Sequence, residues 1–405
     1  MGADSYLPTL ETLESRLLLA GDVSAVIVRG ALNVVGDTAD NAIQIDTDGL
    51  AQGQVRVYSL DGTTTVNGQD SVTLEGLTGR VDIRMGDGSD KVVMHGVTGK
   101  SLRLDGGAGD NNLQVLSCTF KGSLQVCTLT GTQNIAVKDT HASTMRIGTG
   151  GGDSEILVHE PVTKSVNVRN KDGHQVVSLY GNIDGNCDVG SVNVKNGSGD
   201  NEFWMEFAKV RGKVSISNRQ GNDLLRVDDS SLGSLSFSGG TGNVWANVTK
   251  TTFKGSVQLK NTNGVDTVMS DSLQLGGAIK VQLKTTQAGS VEITNCAAAQ
   301  LQLVTGKADD TVTVKNVNIS RTTKVQTNAG SDQVTLGNAD TDGTASAFKG
   351  TVTVKAGTGD DGIHVGGAFG GKATFDGGTG SDTLEEMPGL SWVKTPWMPN
   401  VEDFT

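Results

Sequence analysis

The sequence predicts an all-β protein built as a single long parallel β-helix, or β-solenoid. Its unit is well seen in Gly350–Val365, GTVTVKAGTGDDGIHV, where two stretches of alternating aliphatic and polar residues flank an acidic glycine turn. Variants of this unit recur about every 21 residues. The 405 residues include 56 glycines, 5 prolines and only 4% aromatics. This composition suits a narrow core of stacked aliphatic side chains, since glycine reaches about twice its usual share of roughly 7%.

Sixteen copies can be aligned on the residue that lies two positions before the first inward aliphatic residue after the glycine turn. These anchor residues are Asn41, Asp70, Asp90, Asn111, Gln133, Ser154, His174, Asn201, Asp223, Asn243, Asp266, Gly289, Asp310, Asp332, Asp361 and Asp382. Most neighbouring anchors are 20 to 23 residues apart. The longer intervals fall in polar stretches such as Gly181–Gly190 and Gly337–Ala347, which predict loops that project from the solenoid without breaking its register.

Each copy contains two predicted strands. Alternation along a strand means that one face is buried, and the second strand follows a glycine such as Gly122 or Gly255. An apolar residue often stands two positions before that glycine and is predicted to fill the second corner, as at Phe120, Val210, Phe253 and Phe348. One copy is too small to bury a core of its own, so copies must stack. The prediction is about 16 rungs of about 21 residues.

The two ends differ from the repeats. Residues 1–22 form a predicted helical or sorting segment, because Leu10, Leu13 and Leu17 fall at helical spacing. Residues 23–384 form the β-helix domain. Residues 385–405 carry Trp392, Trp397 and three of the five prolines. They predict a C-terminal cap over the last rung, which would block strand addition at an open edge; an attachment tail is the alternative.

The acidic glycine corner is the strongest chemical feature, and stacking would place its acids in a ladder. Like charges about 5 Å apart repel unless a counter-ion lies between them, and calcium binds several carboxylate and carbonyl oxygens. Two interpretations stay open. Asn and Asp turn chemistry without a metal is favoured, because many corners carry Asn, Gln, Ser or Gly. The other is Ca²⁺ at a few corners, with metal ligands predicted at Asp87, Asp90, Asp332, Asp360, Asp361 and Asp382.

Charge and hydropathy limit the partners. A net charge of -12 argues against a nucleic-acid partner, which requires a basic face. No stretch approaches the roughly 18 apolar residues of a transmembrane segment.

The four cysteines form no CxxC pair and are interpreted as small buried hydrophobic residues, with one disulfide left open. The five histidines have no ligand spacing with one another.

A polysaccharide lyase or hydrolase is the enzyme alternative, because such a site needs paired carboxylates or an acid with a basic residue in a groove. The candidate cluster is Asp223, Arg226, Asp228 and Asp229. Glu202, Trp204 and Glu206 are predicted to alternate outward. Trp204 and Trp245 together predict a sugar-stacking platform, which makes a glycan-binding module a further alternative.

Two resemblances to known families follow from these residues. Leu13–Asp22, LESRLLLAGD, resembles the LEPR-XLL segment found at the start of exported surface proteins of planctomycete-type bacteria, although Ser15 replaces the proline that gives the segment its name. Gly377–Leu384, GGTGSDTL, is similar to the RTX (haemolysin-type) calcium-binding nonapeptide, but the period here is about 21 residues rather than nine. The first resemblance implies an extracellular or cell-surface location and no enzymatic activity. The second implies calcium at the corners.

The sequence therefore predicts a non-catalytic extracellular protein, structural or adhesive, that presents a rigid rod to partners. Those partners are expected to be cell-surface or extracellular-matrix components, with glycans among them. No motif for a nucleotide, a catalytic serine or a zinc protease site is present.

Overall fold

The computed structural model describes residues 21–182, 187–339 and 345–405. Within these ranges the chain is all β, and it forms a parallel β-solenoid of about 14 turns. The predicted all-β parallel β-solenoid is confirmed, but with about 14 turns instead of the 16 rungs predicted. The helical or sorting segment predicted for residues 1–22 lies outside the described residues except for Gly21 and Asp22, as does most of the LEPR-XLL-like stretch.

Each turn of the solenoid passes through three walls. The front wall follows the acidic corner, the short wall comes next and the back wall closes the turn. The front wall consists of Ala42–Asp46, Lys91–His95, Asn111–Leu116, Gln133–Lys138, Ser154–His159, Gln175–Tyr180, Asn201–Glu206, Asp223–Asp228, Val244–Thr249, Asp266–Asp271, Ser290–Thr294, Thr311–Lys315, Gln333–Leu336, Gly362–Val365 and Thr383–Glu386, followed by Asp403–Phe404.

The back wall has the same repeat. It consists of Ala31–Val35, Val81–Arg84, Leu102–Asp105, Thr119–Cys127, His141–Gly148, Val162–Arg169, Asp188–Lys195, Lys209–Ser217, Ser231–Ser238, Val257–Asn261, Ala278–Leu283, Gln300–Val304, Thr323–Ala329, Val352–Thr358 and Ala373–Thr379. The separate strands of the short wall are Thr98–Gly99, Thr252–Phe253, Gln274–Leu275, Ala297–Ala298, Asn318–Ile319, Ala347–Phe348, Ala368–Phe369 and Ser391–Trp392. In the turns from Thr119 to Ser238, the short and back walls are one bent strand.

Parallel pairing places equivalent residues of successive turns above one another. Val92 pairs with Leu113 in the front wall, and Leu102 pairs with Leu124 in the back wall. The aliphatic residues at these positions are buried and the residues between them face outward, as alternation predicts. The inner faces of the walls therefore form one continuous core. Register survives the two predicted insertions, since Gln175 pairs with Asn201 and Gln333 pairs with Gly362.

The short wall contributes a column of buried side chains to the core. All four predicted corner fillers, Phe120, Val210, Phe253 and Phe348, are buried. Near the C-terminal end this column becomes aromatic. Phe369 stacks between Phe348 and Trp392, with ring centroids 5.0 and 4.4 Å away.

The N-terminal end departs from the predicted repeat. Ala42 of the first front-wall strand pairs directly with Lys91, so the copy anchored on Asp70 is not a rung. Its strand, Ser71–Glu75, instead pairs antiparallel with Gln54–Ser59, which pairs antiparallel with Ala42–Asp46. The remaining strands at this end are Asp22–Val28, which forms a hairpin with Ala31–Val35, and Thr65–Val66. Alternation has the same period in both kinds of strand, so it could not distinguish them.

Two predicted anchors are displaced by one residue. Gln175 rather than His174 pairs with Ser154, and Val244 rather than Asn243 pairs with Asp223. In these turns the positions equivalent to the first core aliphatic residue of the other turns are therefore Val177 and Ala246. In the first case two consecutive valines made the choice ambiguous, because either satisfies the alternation.

The C-terminal tail lies across the last turn. The backbone N–H of Phe375 donates to the Trp397 carbonyl oxygen at 2.9 Å, and Thr383 and Leu384 pair with Asp403 and Phe404. The tail thus continues the hydrogen-bonding pattern of the walls beyond the last complete turn.

Two further observations concern membrane-spanning segments and the cysteines. The described residues contain no helix that is long and apolar enough to cross a membrane. All four cysteines are free, and Cys118, Cys187 and Cys296 are buried.

Candidate cation-binding seam

A column of inward-pointing polar side chains runs along the corner that precedes the front wall. We call this column the seam. Its members are 4% exposed or less: Asn41, Asp90, Asn111, Gln133, Ser154, Gln175, Asn201, Asp223, Asp266, Asp310, Asp332, Asp361 and Asp382. Each occupies the first inward position of its turn, one step before the aliphatic core. Seven carboxyl groups are therefore enclosed along one edge of the hydrophobic core.

The six predicted metal ligands divide into two groups. Asp90, Asp332, Asp361 and Asp382 belong to the seam, whereas Asp87 and Asp360 are exposed on the outside of the corner. Asp332, Asp361 and Asp382 lie in successive turns, and Asp90 lies near the other end of the rod. The structure thus brings three of the six together.

Seam carboxylates accept hydrogen bonds from the backbone of the preceding turn. The N–H of Asp332 donates to Asp361 Oδ1 at 2.7 Å, and the N–H of Asp361 donates to Asp382 Oδ1 at 2.9 Å. The series ends in the C-terminal tail, where the N–H of Asp382 donates to Glu402 Oε2 at 2.8 Å. Glu402 was not recognised in the sequence, because it belongs to no repeat.

Turns in the middle of the rod use a different acceptor. The N–H of Gln133 donates to the Asp153 carbonyl oxygen, and the N–H of Ser154 donates to the His174 carbonyl oxygen. A seam side chain in this region does not need to accept the backbone N–H of the preceding turn. This explains why Gln and Ser occur there, while the seam positions from Asp310 to Asp382 are all aspartate.

A second, solvated row of acceptors runs parallel to the seam on the outside. These residues directly precede the seam positions, and each accepts an N–H from the following turn: Asp40, Asp110, Asp153, Asp200, Asn222, Asn243, Asp309 and Asp360. The N–H of Ser381, for example, donates to Asp360 Oδ1 at 2.9 Å. Pairs such as Asp360–Asp361 therefore place one carboxylate in water and one in the core.

The seam acids have buried oxygen atoms without partners. Among the described residues, no hydrogen-bond donor reaches Oδ2 of Asp90, Asp223, Asp266, Asp332, Asp361 and Asp382. Burial raises the pKa of Asp223 to about 7 and the pKa of Asp90, Asp266, Asp332 and Asp361 to about 6. Burial also raises the pKa of Asp310 and Asp382. An unpartnered buried carboxylate is costly, so it binds a proton or a cation more tightly than a solvated one does.

The residue five positions before a seam acid can supply a neutral side-chain donor from the same turn. Asn261 Nδ2 donates to Asp266 Oδ1 at 2.7 Å. The equivalent residues before Asp90, Asp361 and Asp382 are Met85, Ala356 and Gly377, which offer no side-chain donor. A Cβ built on Gly377 would overlap the Asn400 carbonyl oxygen and lie 2.6 Å from Asp382 Oδ2, so glycine lets the C-terminal tail and the carboxylate pack closely here.

Calcium fits the chemistry of these three positions. It takes six to eight oxygen ligands, and carboxylates and backbone carbonyls are its usual donors in proteins. Asp361 and Asp382 in adjacent turns would supply the carboxylates, and the glycine corner would supply carbonyl oxygens. Asp87 and Asp360 are exposed on the outside of the corner, away from this space, and their role as ligands stays a prediction.

The candidate catalytic cluster is divided by the front wall. Asp223 faces the interior, whereas Arg226 and Asp228 face outward, 4.0 Å apart. Asp229 lies at the next corner and pairs with Lys250 at 3.7 Å. Glu202, Trp204 and Glu206 do face outward, as predicted.

One mixed cluster was missed by considering histidine spacing alone. Asp139, His159 and Glu160 bring one ligand atom each to within 4.8 Å of the others, and they lie at the corner after the front wall in two neighbouring turns. The signal in the sequence is their common offset of five or six residues from the anchors Gln133 and Ser154.

Comparison with protein-family models, with curated proteins and with solved structures finds no match for this chain. The function proposed below therefore depends on the geometry of its own residues.

Proposed function

We propose that the protein is a non-catalytic structural or adhesive rod, located outside the cell or on its surface, that presents its outer walls to surface or matrix components. The observation that carries this proposal is the unbroken register of the walls over about 14 turns. At about 4.8 Å per turn the rod is about 65 Å long. A shape of this kind offers extended, rigid outer surfaces at a fixed spacing.

The enzyme alternative has less support from the geometry. A glycosidase-type site needs two carboxylates about 5 to 10 Å apart on the same side of a groove. In the sequence-derived cluster, Asp223 is buried on the opposite side of the wall from Arg226 and Asp228. The carboxyl groups whose pKa is raised by burial are enclosed in the seam, where a polymer cannot reach them.

The proposal is tested by sedimentation with a panel of insoluble polysaccharides and extracellular-matrix preparations. The purified chain should co-sediment with at least one of them, and no soluble sugar should be released. Release of oligosaccharides that Asp228→Asn abolishes would favour the lyase or hydrolase alternative. Failure to bind any member of the panel would contradict the adhesive function.

A second candidate, a calcium-stabilised rod, is favoured by the unpartnered Oδ2 atoms of Asp361 and Asp382. Calcium between these carboxylates would offset the cost of burying them. Because calcium would bind the folded chain only, it should raise the melting temperature relative to EGTA.

The control for this candidate removes the same charge from exposed corner positions, of which Asp360 directly precedes Asp361 and Asp87 lies near the other end of the rod. The double variant Asp361→Asn/Asp382→Asn should abolish the calcium response. The double variant Asp87→Asn/Asp360→Asn removes the same charge from exposed positions and should retain it. A wild-type melting temperature that is the same in EGTA and in calcium would rule out structural calcium.

A further inference from the structure

Large aromatic side chains gather at one place on the outside of the front wall. Among the described front-wall strands, only Gln175–Tyr180, Asn201–Glu206 and Val244–Thr249 direct aromatic rings outward, through Tyr180, Trp204 and Trp245. Together with Leu224 on the strand between them and Phe207 at the adjacent corner, these residues form what we call the aromatic face. Other outward positions of the wall are mostly small or polar, as in Thr311–Lys315.

Phe207 marks this face as unusual. Its φ is 52°, in the left-handed region, and its side chain is 37% exposed. The same corner of other turns carries left-handed residues that are mostly small or polar, namely Ser117, Asp139, Glu160, Asp229, Lys250, Ser272, Asn295 and Asn316. A bulky residue in this conformation is strained, and strain of this kind concentrates at functional sites.

The aromatic face is acidic. Its strands carry Glu202, Glu206 and Asp228 outward, against one cation, Arg226. Among the described residues, Glu206 has no cation within 4.0 Å, and Glu202 has only His174, at 3.8 Å. A shallow groove of about 360 Å³ connects Trp245 and Leu224 with Asp200 and Glu202.

Arg226 is a cation of the chain itself that already packs on this face. Its guanidinium carbon lies 5.4 Å from the centre of the Trp204 ring, and one of its nitrogens lies 4.0 Å from Asp228. Trp204 is held by its indole N–H, which donates to Glu202 Oε2 at 3.0 Å. Trp245, 38% exposed, has no such guanidinium over its ring within the described residues. The ring is therefore free to accept one from outside the chain.

We propose that the aromatic face binds a Lys- or Arg-rich polypeptide segment. This inference rests on the proposed adhesive function and names its partner. Carboxylates only accept hydrogen bonds, and guanidinium and ammonium groups only donate them, so the two are complementary. A neutral sugar can donate its hydroxyls to Glu202 and Glu206, but it brings no positive charge to balance theirs. The aromatic rings add cation–π attraction, and the acids increase the association rate.

The test is a titration of the whole chain, followed by tryptophan fluorescence, with a ten-residue Arg-Ser repeat peptide. The same peptide with citrulline in place of arginine is the uncharged control and should bind about tenfold more weakly. Trp245→Ala should weaken binding of the arginine peptide roughly fivefold to tenfold, as expected for loss of a cation–π contact. Binding should also weaken as salt is raised.

Matched variants separate this site from general attraction to an acidic protein. Glu202→Gln/Glu206→Gln should weaken binding about tenfold, whereas Glu75→Gln/Glu385→Gln, which removes the same charge elsewhere, should change it less than twofold. Equal loss in both double variants would overturn the inference. Binding of a neutral cello-oligosaccharide that Trp245→Ala abolishes, without peptide binding, would also overturn it, while leaving the adhesive function in place. If neither the peptide nor the oligosaccharide bound, and the chain also failed to co-sediment with any member of the panel, both this inference and the adhesive function would be wrong.

Discussion

Gly107 lies at a corner where the backbone of one turn rests against the backbone of the turn before. Its φ is +70°, and a Cβ at this position would overlap the carbonyl oxygen of Gly86. Gly49 has the same φ of +70°, but a Cβ there would meet nothing within 4 Å. The two glycines therefore separate the cost of the left-handed backbone from the cost of close packing.

We expect Gly49→Ala to destabilise the fold by about 1 kcal/mol, the cost of a left-handed non-glycine residue. Gly107→Ala should cost about 3 kcal/mol or more, because overpacking adds to that term. Urea unfolding of the two variants measures the difference. Equal destabilisation would show that stacking of the corners does not depend on the missing Cβ.

At the level of single residues, the sequence could predict that acids gather at the corner but not which of two neighbours faces inward. Asp360 and Asp361 are chemically identical, and only the register of the strand that follows assigns Asp361 to the seam. A shift of one residue reverses every side chain of a strand. The same ambiguity displaced the predicted anchor from Gln175 to His174.

Individual strands of the rod are stabilised by columns of buried side chains that stack from one turn to the next. Phe369 is buried in the short wall, stacked on Phe348 and Trp392 and 6.0 Å from the centre of the Phe375 ring. Such a column ties the last turns to the C-terminal tail, which supplies Trp392. Removing one ring therefore affects both the core and the attachment of the tail.

Phe369→Ala should destabilise the protein by about 3 to 5 kcal/mol, as expected for loss of a buried aromatic side chain. The control is Phe404→Ala in the tail, where the side chain is 53% exposed; it should cost less than about 1 kcal/mol. Thermal unfolding of the two variants measures this difference in stability. If both variants lost similar stability, the stacked column would not hold the C-terminal turns.

Among the elements, the parallel turns were predictable and the N-terminal end was not. The pattern from Lys91 onward contains both the alternation and the glycine corner of each turn. Ser71–Glu75 has the alternation too, but its partner is an antiparallel strand formed by Gln54–Ser59. Which strand becomes its neighbour depends on where the chain turns back, and the residue types within the strand do not determine that.

Across the whole molecule, the seam makes stability depend on pH. Asp223 has a folded-state pKa of about 7, and Asp266, Asp332 and Asp361 have folded-state pKa values of about 6, all above the unfolded value of about 3.9. The folded state therefore binds protons more tightly than the unfolded state. The resulting stabilisation is complete below pH 4 and is lost as the pH rises through 6 to 7.

In buffer with chelator, the melting temperature of the wild type should fall between pH 5 and pH 8. Asp223→Asn removes one titrating seam group and should make this decline shallower. Asp200→Asn removes an exposed acid from the outer row and should leave the slope unchanged. Melting curves recorded from pH 5 to pH 8 measure this slope for the wild type and both variants. A melting temperature that rises with pH in the wild type would contradict the burial of ionisable acids in the seam.

The claim that the wall separates two kinds of acid is tested most directly by comparing Asp361→Asn with Asp360→Asn. The measurement is the melting temperature at pH 7.5 in the presence of chelator. Asp361→Asn should raise it, because the amide keeps an oxygen for the N–H of Asp332 and removes a buried charge. Asp360→Asn should leave it nearly unchanged, since that carboxylate is solvated. Equal effects of the two substitutions, or a lower melting temperature for Asp361→Asn alone, would contradict the division of the corner acids into a buried seam and a solvated outer row.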